Sequence, residues 1–291
     1  MKLQIQSNRQ LPVRRATVVA VLVGTAVLGA CGGGASGSGA VVNSMSATPV
    51  AWGRTVFWSV GGLGLDDGVN MAITSGTCAD LVQAGTGAST QRQFTCRAAS
   101  VGDIVGEVRD SGGKRLASLR ITVPVPTVRL SFSQGTIDIE LEPDKAPVTV
   151  QNFITYISGN FYDATIFHRV IDGFVIQGGG YTAGPTFKTP TQPAIALETN
   201  RGLNNLRGTI AMARTSAPNS ATSQFFINVV DNSSLDYASD AQPGFAVFGR
   251  VIAGLDVVDA IKVVPTGSVP ALGLADVPLT NVVLTTARQI R

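Results

Sequence analysis

The chain has 291 residues, 44% of them hydrophobic, with 22 Lys and Arg against 19 Asp and Glu. Four of the basic residues, Lys2, Arg9, Arg14 and Arg15, lie in the first 30 residues, which hold no acid, so the rest is near neutral with 18 basic against 19 acidic residues. A neutral body with no Lys/Arg run interleaved with aromatics excludes the electrostatic footprint of a nucleic-acid binder, and the length suits a leader and two globular units.

Residues 1–30 read as an export signal: a basic stretch through Arg15, then an apolar run from Ala16 to Leu28 that is too short to span a bilayer. Leu28-Gly29-Ala30-Cys31 resembles the bacterial lipobox, in which the Cys is lipidated and becomes the first mature residue. The alternative is an ordinary signal peptide. The Gly/Ser/Ala stretch from Gly32 to Ala40 is the flexible tether a lipid-anchored protein needs, and residues 31–43 are assigned to it. Two or three acyl chains on Cys31 would hold the protein at the membrane, where a single chain is marginal. The expected location is the periplasm, and Gly32 after the Cys, in place of Asp, resembles lipoproteins forwarded to an outer membrane.

Residues 44–125 consist of short apolar or alternating runs, Thr55 to Val60, Asp103 to Val108 and Leu116 to Val123 among them, punctuated by Gly, Asp and Ser. This spacing predicts a small β-sandwich, immunoglobulin-like in outline. With Cys31 assigned to the anchor, Cys78 and Cys96 form an even pair in an exported chain, which favours a disulfide; one pinning strands across the two sheets would suit an immunoglobulin-like domain, and two buried thiols are the alternative. The loop-entropy relation gives such a bond about 3 kcal/mol. Two Cys and a single His are too few for a closed zinc site, and Asp66-Asp67-Gly68 lacks the further carboxylates that calcium requires. Neither a metal nor another cofactor is expected.

Val123-Pro124-Val125-Pro126 breaks the pattern with an extended, stiff connection, so a domain boundary is placed there. Residues 126–291 open with a hairpin, Val128 to Phe132 and Thr136 to Leu141, about Ser133-Gln134-Gly135. Pro147 suits the first turn of a helix in which Val150, Phe153, Ile154 and Ile157 recur at helical spacing, and Gly159 ends it. Strands are predicted at Thr165 to Val170, Phe174 to Gln177, Thr209 to Ala213, Gln224 to Val229 and Phe245 to Val251. A polar excursion fills Gly180 to Asn200, and a second helix covers Leu255 to Lys262. The fold class is mainly β: a closed antiparallel barrel capped by two helices, preceded by the sandwich.

The run Phe167-His168-Arg169-Val170-Ile171-Asp172-Gly173-Phe174-Val175-Ile176-Gln177-Gly178-Gly179 resembles the central motif of cyclophilin-type peptidyl-prolyl cis-trans isomerases. Arg207 to Arg214, Ser223 to Asn228 and Phe245 to Val251 follow in that family's order, so the resemblance covers about 160 residues, with the flavour of bacterial periplasmic members. It implies isomerisation of prolyl bonds in exported polypeptides that are folding. Arg169 and Gln177 are the implied catalytic pair. Phe174, Val175, Phe226 and Leu235 are implied to line the pocket for the proline ring, with Phe245 closing its far side. Gln177 and Gln224 would bond the substrate backbone and orient Arg169, while Ala213, Arg214 and Thr215 would form the groove wall and give backbone hydrogen bonds to an extended peptide. Strand parity does not gather these groups, because Phe174 and Ile176 share one face while Val175 and Gln177 share the other; barrel curvature is expected to bring Phe174 and Gln177 together.

The residue types suit the reaction. Rotation about a prolyl bond faces a barrier of about 18–20 kcal/mol because the nitrogen lone pair is delocalised into the carbonyl. A guanidinium donating to that nitrogen stabilises the twisted state selectively. His168, the sole His, is read as structural, since no proton need move. Ser234 and Val175 stand where many members carry larger apolar groups, which predicts weakened binding of cyclosporin-like macrocycles. The partners expected are proline-containing unfolded or extended polypeptides and, through Cys31, a membrane; the protein is expected to be a monomer. The rival reading is a non-catalytic proline-peptide binder, an envelope holdase or scaffold, which would not need Arg169.

Overall fold

The computed structural model describes residues 39–66 and 68–291. The leader 1–30, Cys31 and Asp67 lie outside the described residues. The first seven strands are β1 (Val41–Ala47), β2 (Thr55–Leu63), β3 (Asn70–Ser75), β4 (Cys78–Ala88), β5 (Gln91–Ala98), β6 (Gly102–Arg109) and β7 (Arg115–Val123). They form two antiparallel sheets, β1-β2-β5-β4 and β3-β6-β7. This is the strand order of a constant-type immunoglobulin sandwich. The sheet begins at Val41, so Val41 to Asn43, assigned from sequence to the tether, belong to β1.

Trp58 on β2 is fully buried and fills the space between the sheets. A Cβ at Gly106 on β6 would come within 3.0 Å of its ring, so the facing strand presents bare backbone to the indole. Cys78 and Cys96 are disulfide-bonded with Cα atoms 5.4 Å apart. The bond joins β4 to β5, neighbours in one sheet, rather than bridging the two sheets as the sequence suggested. The two residues sit near the open end of an antiparallel β4–β5 hairpin, where adjacent strands already lie within bonding reach. Trp58 Nε1 donates to Cys96 Sγ at 3.2 Å, tying the core indole to the disulfide.

The second half comprises β8 (Thr127–Phe132), β9 (Gly135–Leu141), α1 (Pro147–Ser158), β10 (Thr165–Val170), β11 (Val175–Thr182), β12 (Thr186–Phe187), β13 (Thr209–Met212), β14 (Phe225–Asn228), β15 (Val247–Ala253), α2 (Leu255–Lys262), β16 (Thr266–Val269), β17 (Leu274–Pro278) and β18 (Val282–Gln289). Eight of these strands run in the order β10-β18-β8-β9-β15-β13-β14-β11, and pairing of β10 with β11 closes the barrel. Closure leaves no edge in that ring of strands. The hairpin and both helices stand where sequence pattern places them, whereas the closing strand β18 and the small β16–β17 hairpin were not read from the sequence. The predicted polar excursion starts later than Gly180, because β11 continues to Thr182 and β12 folds back onto it.

Helix α1 has Pro147 in its first turn and buries Val150, Phe153, Ile154 and Ile157. The Phe153 ring lies 5.2 Å from Tyr162, 5.5 Å from Phe225 and 5.1 Å from Phe248, so one side chain organises the aromatic core. Ala146 at the N-cap offers no side-chain acceptor. Glu198, from the loop before β13, supplies one: its Oε2 accepts from Thr149 N at 2.8 Å and Thr149 Oγ1 at 2.9 Å, and Oε1 from Val148 N at 3.3 Å. A distant carboxylate thereby satisfies the helix's orphan donors and its dipole.

Sandwich and barrel share one continuous hydrophobic core. Arg97 on β5 donates to Gln151 of α1 at 3.1 Å, Arg54 donates to Gln289 of β18 at 3.2 Å, and Gln289 Nε2 donates to the Trp52 carbonyl at 3.2 Å. The proline-rich connection is pinned as well, since the Pro126 carbonyl accepts from Leu141 N at 2.9 Å.

Candidate active site

The site forms on the outer face of the barrel, and a bulge creates it. Phe167 pairs with Gly178 and Arg169 with Gln177, so two steps along β10 match one along β11 and His168 is the extra residue. In an unbroken strand Phe167 and Arg169 would share a face. The bulge instead keeps Phe167 and Val170 in the core and turns Arg169 outward. Gly178 and Gly180 permit the close approach behind it: a Cβ on Gly178 would meet the Phe167 ring at 2.9 Å, and one on Gly180 would meet the Gln224 side chain at 2.5 Å.

Across β11, β13, β14 and β15, Ile176, Ile210, Met212, Phe225, Ile227 and Phe248 point into the barrel. Their alternating neighbours Val175, Ala211, Phe226 and Val247 form a second buried cluster, joined by Phe174, Leu203, Ala213, Leu235 and Phe245. Period-two alternation thus gives one sheet a core face and a cleft face. Phe174 reaches the cleft for a different reason from the one expected. It precedes β11, in the turn where its N–H donates to the Ile171 carbonyl at 3.1 Å, so strand parity does not bind it and barrel curvature need not be invoked.

The cleft is a cavity of about 190 Å3 lined by Arg169, Phe174, Val175, Gln177, Ala213, Arg214, Phe226, Leu235 and Phe245. A larger cavity, about 420 Å3, lies between Trp52, Arg97 and α1 and holds none of these groups. Arg169 stands over the Phe174 ring at 5.8 Å. Among the described residues no hydrogen bond or ion pair engages its guanidinium, so its donors face the cleft uncommitted. The Phe226 and Phe245 rings meet edge to face at 5.6 Å. Arg214 stacks on Phe245 at 4.6 Å and is fixed by donating to the carbonyls of Gly244, at 2.9 Å, and Thr215, at 2.8 Å.

Three of the expected contacts fall differently. Gln177 Nε2 donates to Gln224 Oε1 at 3.0 Å, so the two glutamines bond each other rather than Arg169. Gln224 stands behind Gln177 and does not line the cavity. Thr215 lies outside the cavity too, its hydroxyl and N–H both donating to Ser220 Oγ, at 2.8 and 3.0 Å. The Ala213 N–H is spent on the Gln224 carbonyl at 2.9 Å and cannot serve an incoming peptide. Ala211, Val247 and Leu203, part of the cleft's apolar floor, were missed from sequence, although Ala211 and Val247 share strand parity with Ala213 and Phe245.

His168 is buried beside the site with its ring 4.6 Å from that of Tyr181. Burial, and then the adjacent Arg169 cation, push its pKa down to about 4, so the imidazole is neutral at neutral pH.

The described residues thus form a closed β-barrel with an apolar cleft on its outer face and, at the rim of that cleft, an arginine that makes no hydrogen bond or ion pair among them. A sequence profile described as "Cyclophilin type peptidyl-prolyl cis-trans isomerase/CLD" matches residues 127–289. The peptidyl-prolyl cis-trans isomerase B of Escherichia coli (strain K12) is 53% identical over 142 residues, which cover 48% of this chain and 86% of that protein. The peptidyl-prolyl cis-trans isomerase cyp18 of Streptomyces antibioticus is 51% identical over 164 residues, which cover 56% of this chain and 97% of that one. A solved cyclophilin-type isomerase of Cryptosporidium parvum, crystallised in the presence of the dipeptide Ala-Pro, is similar at 24% identity with a TM-score of 0.47, covering 57% of this chain and 99% of that chain. The chain belongs to the cyclophilin-type peptidyl-prolyl cis-trans isomerase family.

Proposed function

We propose that the protein isomerises prolyl bonds in exported polypeptides, with Arg169 as the catalytic residue. The observation that carries this is the uncommitted Arg169 guanidinium at the rim of the apolar cleft. The proline ring enters among Phe174, Val175, Phe226 and Leu235, which fixes it while the preceding carbonyl turns. As the bond twists, the nitrogen lone pair withdraws from the carbonyl, localises, and accepts a hydrogen bond from Arg169. The planar ground state offers no such acceptor, so the interaction lowers the barrier rather than deepening binding. Gln177, at the same rim, bonds the substrate backbone. No bond is broken and no proton is transferred.

The protein acts, on this reading, as a monomer tethered through a lipidated Cys31 to the periplasmic face of the outer membrane. Residues 126–291 carry the activity and residues 44–125 serve as spacer or docking unit. Acyl labelling of the full chain that survives Cys31→Ser would remove the anchor from this account.

The test of the activity is turnover of a short Ala-Pro peptide by residues 41–291 and by its Arg169→Ala variant. Acceleration by the parent, lost by about a hundredfold in the variant with peptide binding kept, is the expected result for a preorganised donor. If neither protein accelerates the reaction and both bind the peptide, the chain is a proline-peptide binder.

A further inference from the structure

Behind the cleft lies a set of buried amides that this mechanism does not use. Asn228 is fully buried and stands two residues beyond Phe226 on β14, hence on the same side of the strand. Its Nδ2 donates to Asn205 Oδ1 at 3.2 Å and Thr209 Oγ1 at 2.9 Å, and its Oδ1 accepts from Asn232 Nδ2 at 2.8 Å. Asn232 Nδ2 also donates to the main-chain carbonyl of Phe174 at 2.8 Å. Asn205 Nδ2 donates to the carbonyl of Leu235 and to Asp236 Oδ1, each at 3.0 Å, and the Asn205 N–H donates to the same Asp236 oxygen at 2.6 Å. The Asn205 carbonyl in turn accepts from Asn232 N at 2.8 Å.

These bonds join five separate segments: the turn holding Phe174, the loop holding Asn205, the start of β13 at Thr209, strand β14, and the loop from Asp231 to Asp236. Two of the anchored carbonyls belong to Phe174 and Leu235, which both line the cleft and lie outside every strand. Main-chain N–H groups hold the same two carbonyls, Val229 N to Phe174 O at 3.1 Å and Phe245 N to Leu235 O at 2.9 Å, and the buried amides add a second donor to each. Buried amides are costly unless fully bonded, and fully bonded ones hold a geometry that an apolar filling would leave free to shift.

We propose that Asn205, Asn228 and Asn232 are positioning residues that fix Phe174 and Leu235 and thereby set the cleft's affinity for the proline ring. The proposal rests on the isomerase reading, since it assigns these residues to the same cleft. The ring occupies the pocket in the planar and twisted states alike, so loosening its walls removes uniform binding. KM then rises while kcat holds, the opposite of what loss of Arg169 does.

The experiment uses the full chain and compares Asn232→Ala, Asn205→Ser and the conservative Asp236→Asn, which keeps an oxygen acceptor for Asn205. KM and kcat are measured on an Ala-Pro peptide, and Kd for the same peptide is measured by NMR titration, all below the unfolding transition of each variant. Asn232→Ala is expected to raise KM and Kd about tenfold with kcat little changed, the size of one lost buried hydrogen bond, and Asp236→Asn to stay near the parent. Unchanged KM and Kd in a folded Asn232→Ala variant would overturn the proposal, as would a fall in kcat at unchanged Kd. Should Asn232→Ala fail to fold, Asn205→Ser is read against the same outcomes. A parent that binds the peptide without accelerating its isomerisation defeats the isomerase reading alone, and Kd then decides the positioning role. A parent that does not bind the peptide defeats both.

Discussion

His168 shows how the bulge that serves the site also creates a liability. The same extra residue that turns Arg169 outward buries an imidazole whose Nδ1 has no hydrogen-bond partner among the described residues. Because its pKa is pushed down from 6.5 to about 4, the unfolded chain binds a proton between those values that the folded chain refuses. Stability therefore rises with pH across that window and is lost as pH falls from 6.5 toward 4, by up to about 1.4 kcal/mol per pH unit. Carboxylates held low by arginines, Asp138 by Arg129 and Asp163 by Arg288, act in the same direction only at lower pH. Denaturant midpoints at pH 6.5 and 5 thus isolate the histidine: His168→Gln is expected to abolish most of the parent's loss over that interval. An equal loss in both proteins would assign the pH sensitivity elsewhere. At this scale residue types were legible in the sequence and their directions were not. The motif around Arg169 names side chains that line one cleft, but period-two alternation points Arg169 into the core, and only the pairing with β11 reveals the slip.

Helix α1 illustrates what local pattern can and cannot specify. Pro147, the apolar spacing and Gly159 mark its two ends in sequence, and the structure places it at Pro147–Ser158. Its N-terminal donors were not accounted for, because their acceptor, Glu198, lies about 50 residues away and no local signal links them. Glu198 is nearly inaccessible, with only 3% of its side chain exposed, and Arg201 lies 3.7 Å from it. Glu198→Ala would strand the buried N–H and hydroxyl of Thr149 and remove the acceptor of the more exposed Val148 N–H. The expected loss is about 2–3 kcal/mol, which for a unit of this size lowers Tm by roughly 5–10 °C. Glu198→Gln keeps one oxygen acceptor and should recover part of it. A Tm within a degree of the parent for Glu198→Ala would mean that water satisfies the helix end. Strand β18 was the opposite kind of omission. Val282-Val283-Leu284 is an apolar run that could have been read as a strand, and its role as barrel closure follows only from pairing with β8 and β10.

At the level of the whole chain, the prolines at 124 and 126 locate the change from sandwich to barrel, yet they do not make the two halves independent. Hydrogen bonds from Arg97 to Gln151 and from Arg54 to Gln289 span 54 and 235 residues of sequence, separations at which composition and periodicity carry no information. The shared core adds Trp52, which is 2% exposed. Removing residues 39–125 would therefore leave Gln151 and Gln289 without these partners and uncover apolar surface on the barrel. Three lost hydrogen bonds at about 1 kcal/mol each predict a fall in Tm of roughly 5–10 °C. The cleft and its apolar floor, however, are built from residues 169–247, and its supports at Asn205, Asn228 and Asn232 lie in the same stretch. The relative from Streptomyces antibioticus is matched over 97% of its length by 164 residues of this chain, so it has no room for a second unit of this kind. Turnover by the barrel alone should accordingly stay within about twofold of the longer protein when both are assayed well below their transitions, since uniform changes in stability leave differential binding untouched. A large fall in kcat/KM in a folded barrel would show that contacts through α1 and β18 reach the cleft, and would give the sandwich a part in catalysis beyond that of a spacer.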